Sequence, residues 1–182
     1  MGDLLFSVVE KFNGDRDWGK FLDAGTGAHS LRWIQTLNTI GWTAITADNQ
    51  MKRNIENDPI INVRPCDSLV VGNWMDDDFC ATLGKFDTIL ADYLIGAVDG
   101  FSPYEQDRIV EKLSNHLNPG GKLFVIGMNP IPDHAPAPAD LIGEVRRARD
   151  SCILMAGHRP YRLIYCNYID GELNLTFNIF SF

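Results

Sequence analysis

The stretch that decides the fold is Phe21-Leu22-Asp23-Ala24-Gly25-Thr26-Gly27-Ala28-His29-Ser30. A short apolar run ends at Asp23, two glycines follow, and Leu31, Trp33, Ile34 and Leu37 then recur at roughly helical spacing. The pattern reads as strand, glycine turn, helix. Glycines at such a turn let a ligand approach the backbone closely, and the helix start beyond them offers N–H groups with no partner inside the helix. The next β-rich run, Trp42-Thr43-Ala44-Ile45-Thr46-Ala47, ends at Asp48, 21 residues after Gly27. A carboxylate at that place can accept both hydroxyls of a ribose.

Charge then discriminates between ligands. The dinucleotide fingerprint G-x-G-x-x-G fails, because Ser30 occupies its last position. Asp23 would also set a negative charge beside an anionic pyrophosphate, which disfavours a nicotinamide dinucleotide and a dehydrogenase. An ammonium or sulfonium ligand would gain from the same carboxylate. S-adenosyl-L-methionine carries both cations and a ribose for Asp48.

Further along, Leu69-Val70-Val71 reads as a third strand, Phe86 to Ala91 as a fourth and Leu123-Phe124-Val125-Ile126 as a fifth. A short helix is expected from Met51 to Glu56. Another is expected from Ser102-Pro103 to about Leu117, closed by Asn118-Pro119-Gly120-Gly121. The β-α alternation implies a parallel sheet covered on both faces. After the proline-rich Met128–Ala139 loop, a helix is expected from Asp140 to about His158, with Leu141, Val145, Ala148, Cys152 and Met155 as its buried stripe. Tyr161–Ile169 and Leu173–Phe180 then flank Asp170-Gly171, a strong hairpin signal. Arg146, Arg147 and Arg149 read as a solvated face, and His116 and His158 as residues near helix C-termini.

The chain thus resembles the class I S-adenosylmethionine-dependent methyltransferases over residues 18–182. Asp23-Ala24-Gly25-Thr26-Gly27 matches the D-x-G-x-G motif, with His29 where a third glycine is usual. Asp48 matches the acid that ends the second strand, and Asn73, before Trp74, stands where Asp is common. Phe86–Asp92 resembles the fourth-strand motif, and Leu117–Leu123 the L-x-P-G-G turn. The resemblance implies an α/β, Rossmann-like, doubly wound and mostly parallel seven-stranded sheet with a C-terminal antiparallel hairpin. It implies S-adenosyl-L-methionine held by Asp23, Ala24, Gly25, Thr26, Gly27, Asp48, Asn49, Asn73, Trp74 and Asp92. Asp92 and Tyr93 are the candidate catalytic residues, Asp92 as a base or an acceptor-orienting group. His29, Tyr104, Asp133 and His134 are further candidates for acceptor contact, and no metal site is expected. The alternative function is a non-catalytic, methyltransferase-like binding or regulatory partner.

Composition frames these expectations. The 182 residues, 45% apolar and 22% charged, suit one domain. Within it, 1–17 form an N-terminal helical segment, 18–127 the cofactor-binding half, and 128–182 the proline loop, helix and hairpin. Sixteen basic against 24 acidic residues give a net charge of −8, which argues against a nucleic-acid partner and favours a small-molecule acceptor, or a protein side chain. No run approaches the ~18 apolar residues of a membrane span, and no basic-then-apolar leader is present. Four cysteines without a C-x-x-C pair fit a reduced, cytoplasmic protein. Cover for the acceptor site is expected from three segments: the N-terminal helix with Phe6 and Phe12, the Gly96–Tyr104 loop with Phe101, and the Met128–Ala139 loop with Met128 and Ile131.

Overall fold

A computed structural model describes residues 4–102, 105–128, 140–158 and 175–181. Its sheet has strands β1 (Lys20–Asp23), β2 (Gly41–Thr46), β3 (Ser68–Val71), β4 (Phe86–Asp92), β5 (Leu117–Met128) and β6 (Leu175–Ser181). Their order is β3-β2-β1-β4-β5-β6, parallel throughout except for β6, which runs antiparallel to β5. The helices are α1 (Leu4–Asn13), α2 (Ala28–Ile34), α3 (Asn49–Glu56), α4 (Asp77–Thr82), α5 (Leu94–Phe101), α6 (Ile109–Ser114) and α7 (Asp140–Met155). No described helix is long and apolar enough to cross a membrane.

Strand alternation explains why the sheet is covered on both faces. Successive residues point to opposite sides. Phe21, Trp42, Leu90 and Phe124 accordingly join Phe6 and Val9 of α1, Leu31 and Ile34 of α2, and Ile55 of α3 in one apolar layer. Leu22, Ile45, Ile89 and Leu123 join Val98 of α5 and Ile109 and Leu113 of α6 in the other, with Phe79 and Cys80 of α4 packed against it. A strand buried on both faces reads as a continuous apolar run, as FDTILA does.

Several expectations change. Helix formation after β4 begins at Leu94, not Ser102; Ser102 is the C-cap of α5, and a 3₁₀ turn over Gln106–Arg108 leads into the short α6. Gly96 and Gly100 mask the helical spacing of Leu94, Val98 and Phe101, so the expected Gly96–Tyr104 loop is helical through Phe101. The Asn118–Gly121 turn lies inside β5, where pairing skips from Phe86↔Leu117 to Thr88↔Lys122. Gly120 takes a positive φ of 75° in that irregularity, a conformation suited to glycine. Of the expected seven strands, six are described; Tyr161–Ile169, the hairpin's first strand, lies outside the described residues.

On α7 the expected faces are reversed. Leu141 is 66% exposed, Val145 64% and Met155 81%, and Cys152 is exposed too, so this stripe is not core. Arg146 and Asp150 are buried instead, paired at 3.2 Å, with Arg149 on the other Asp150 oxygen at 2.8 Å. Helical periodicity shows which residues share a face; it does not say which face turns inward. An i,i+4 ion pair that satisfies its own charge can occupy the inner one.

The N-terminal helix is structural. Phe6 is 2% exposed and stacks on Trp33 at 4.4 Å between ring centres, while the Trp33 indole donates to Glu10 at 2.6 Å. Of the expected lid aromatics, Phe6 therefore belongs to the core and Phe12 remains half exposed. Phe6→Ala is expected to cost about 3–5 kcal/mol of unfolding free energy. Urea denaturation checks this, and a loss under about 1 kcal/mol would return α1 to the status of a movable cover.

Candidate functional site

In an open α/β sheet the ligand crevice lies outside the carboxyl ends of the strands, where the strand order reverses. Here the order reverses between β1 and β4, and a cleft of about 220 Å³ lies at that end of the sheet. Ala24, Gly25 and Thr26 bring the glycine turn to it, Asp48 and Met51 the end of β2 and start of α3, and Gly72, Asn73 and Trp74 the turn after β3. Leu94, Ala97, Val98 and Phe101 of α5 line the opposite wall. Local hydrogen bonds fix the turns: Thr26 N–H donates to Ile45 O at 2.8 Å, and Gly72 N–H to Thr46 O at 3.0 Å.

The two sequence carboxylates occupy contrasting places. Asp48 is exposed at the cleft and caps α3, its Oδ1 accepting from Gln50 N at 2.7 Å. Asp23 is wholly buried, and its Oδ2 accepts from Ser30 Oγ at 2.7 Å. The other oxygen, Oδ1, has no hydrogen-bond partner; Thr26 lies near enough to favour the charged form without completing a bond to it. Burial pushes the Asp23 carboxyl up to about 7, with Ser30 opposing the rise and the charge of Asp92 adding to it.

A raised carboxyl has a definite sign for stability. Between the unfolded value near 3.8 and about 7, the folded chain holds a proton that the unfolded chain releases. Stability from this group is therefore lost as pH climbs through that window. Asp23→Asn is expected to remove this component, flattening the decline in melting temperature between about pH 4 and pH 7. An unchanged pH profile would mean Asp23 is ionised throughout.

The remaining expected residues divide. Ala24, Gly25, Thr26, Asp48, Asn73 and Trp74 line the cleft; Asp23, Gly27, Asn49, Asp92 and Tyr93 do not. Trp74 is held by its indole N–H, which donates to Ala24 O at 2.6 Å, so it braces the glycine turn. The Asn73 amide bonds Ser102 Oγ at 3.1 Å and accepts from Met75 N at 3.0 Å. Asp92 ends β4, and Tyr93 after it has the sole positive φ among described non-glycine residues, 50°. His29 is exposed, its ring 5.0 Å from Phe6. Tyr104, Asp133 and His134 lie outside the described residues. Sequence reasoning missed the α5 wall, although Leu94, Ala97, Val98 and Phe101 stand at i, i+3, i+4 and i+7.

No family model and no curated protein matches the sequence. Solved structures do match in three dimensions. A S-adenosylmethionine-dependent methyltransferase from Methanosarcina mazei aligns with a TM-score of 0.59 at 16% identity, covering 93% of this chain and 76% of that one. A precorrin 8W decarboxylase from Methanobacterium thermoautotrophicum aligns at 0.55 and 13% identity, over 86% and 73%. A plantazolicin methyltransferase, solved in complex with a monoazolic desmethylPZN analog and SAH, aligns at 0.51 and 17% identity, over 68% of this chain and 44% of its own. The chain has the α/β, Rossmann-like fold of the S-adenosylmethionine-dependent methyltransferases. That a decarboxylase shares it shows that the reaction must be argued from the site.

Proposed function

We propose that this chain is an S-adenosyl-L-methionine-dependent methyltransferase acting on a small-molecule acceptor. The observation that carries the reading is the pairing of a nucleoside-suited cleft with a buried carboxylate oxygen that has no partner. The cleft runs from Gly25 and Thr26 to Asp48, and Asp23 lies at the end of β1 beneath the glycine turn. A ligand with a ribose and a cationic arm meets both demands; a dinucleotide meets only the first. When bound, this donor supplies a methyl group on a cationic sulfur, already activated for displacement.

The chain's own residues then have positional work. Asp48 keeps one oxygen on the α3 cap and offers the other to the ribose hydroxyls. Met51, Ile45, Val98 and Phe101 provide apolar surface for the base. Gly25 and Thr26 carry the backbone past the sugar. Asp92 and Tyr93, where β4 leaves the sheet, face the acceptor, and Asp92 orients it or takes its proton. Alignment of acceptor and methyl supplies most of the acceleration in such a displacement. The net charge of −8 supports a small molecule over nucleic acid.

Radiolabelled methyl transfer into a cell extract, afterwards separated into small-molecule, protein and nucleic-acid fractions, tests the reading. Label is expected in the small-molecule fraction, and with Asp92→Asn it should fall about 10²-fold or more, the scale of a lost proton-transfer group. Label in protein would overturn the acceptor class. No label in any fraction would overturn the enzyme.

A further inference from the structure

Helix α7 turns its ion pair inward and an apolar stripe outward. Gly143, Arg146 and Asp150 are buried, while Leu141, Val145, Ala148, Cys152 and Met155 are exposed on the opposite side. A single exposed leucine is ordinary; a continuous apolar stripe opposite a buried ion pair is not. The helix has 16 residues, about 24 Å of length, and the stripe runs along nearly all of it. Steps of four and three residues alternate down the stripe, a mean of about 3.5. That is the repeat with which one helix packs along another.

The charges beside the stripe indicate which helix fits. Glu144 lies on one flank and Arg149 on the other, five positions apart, a spacing that does not bring side chains together within one helix. The Glu144 carboxylate is exposed and has no hydrogen-bond or ion-pair partner among the described residues. Arg149 donates from Nε and Nη2 to Asp150 Oδ1, at 3.2 and 2.8 Å, which leaves Nη1 for another acceptor. Arg146 donates to the same carboxylate, so two guanidinium groups share one negative charge and one positive charge is left over. An unpaired anion and a surplus cation on either side of an apolar seam complement the same surface in another molecule. In two parallel helices related by a two-fold axis, flanking residues five positions apart meet across the seam. Glu144 there reaches the partner's Arg149, and Arg149 the partner's Glu144.

We propose that the outer face of α7 docks against α7 of a second copy of this chain, as a parallel two-fold helix pair. Leu141, Val145 and Met155 fill the seam against their counterparts, and Cys152 lies beside the partner's Cys152. No residue of the cleft lining belongs to α7, so the pairing stands apart from the donor assignment.

Light scattering of the full chain at tens of micromolar is expected to give twice the mass of one chain. Val145→Glu, at an exposed position, should give the mass of one chain with an unaltered melting temperature. Leu154→Glu, exposed but off the stripe, should stay a dimer. Glu144→Lys sets like charges together twice and should raise the dissociation constant about tenfold. A short bismaleimide should join two chains, and Cys152→Ser should abolish that product. A monomer at every concentration would overturn the pairing. So would a monomer that Val145→Glu destabilises, because another segment of the same chain would then cover the stripe. A dimer that survives Val145→Glu uses a different face, and one indifferent to Glu144→Lys or lacking the Cys152 cross-link is not this parallel pair; either result overturns the proposal.

Discussion

Gly25→Val is expected to leave no measurable binding of S-adenosylmethionine at millimolar concentration. The first carbon of any side chain at this position meets Leu94 at 2.9 Å, and valine adds two methyl groups beyond it. Either Leu94 or the glycine turn must move, and both line the cleft. Overpacking of this kind costs about 1–3 kcal/mol of stability, so circular dichroism must first show that the variant is folded. Gly27→Ala is the matched control. A Cβ at Gly27 meets nothing within 4 Å, and its backbone, at φ −134°, suits any residue. Binding by Gly27→Ala should stay within about threefold of the unaltered chain, an energy change below 1 kcal/mol. Retained affinity in a folded Gly25→Val would place the ligand elsewhere.

Asp48→Ala is the second large effect, an expected loss of about 1.5–3 kcal/mol in donor binding, the range for hydrogen bonds to a charged group. The same substitution removes the α3 cap made to Gln50 N, worth about 1 kcal/mol of stability by itself. Asp48→Asn separates the two roles, since an amide oxygen still caps the helix but cannot accept from both ribose hydroxyls. Its stability should stay near that of the unaltered chain while donor affinity falls about tenfold. A loss of stability without a loss of affinity, in either variant, would reduce Asp48 to a cap.

Much of this site was legible before the structure, for physical reasons specific to each segment. Asp23, Gly25 and Asp48 were readable because strand ends and glycine turns leave local signatures, and the structure brings the glycine turn and Asp48 to one cleft. The alternating burial of Phe21 and Leu22, or Ile89 and Leu90, follows from FLD and FDTILA being covered on both faces. What sequence did not disclose depended on packing between distant segments. Trp74 is expected only among the cofactor-holding residues, yet its indole reaches 50 positions back to Ala24 O. The α5 wall was hidden by Gly96 and Gly100, which weaken a helical pattern that tertiary contacts restore. On α7, periodicity grouped Leu141, Val145 and Cys152 on one stripe but gave the wrong side, because the Arg146–Asp150 pair turned inward. Phe6 could equally have covered an acceptor or packed on Trp33, and only the 4.4 Å stack decides between them.

On this reading the cleft takes a ribose bearing a cationic arm and rejects a dinucleotide. Calorimetric titration of the full chain with S-adenosylmethionine and, separately, NAD at pH 8 tests it most directly. Saturable heat with a micromolar dissociation constant, about −8 kcal/mol, is expected for the first ligand, and none for the second. Heat with NAD, or none with S-adenosylmethionine at millimolar concentration, would contradict it.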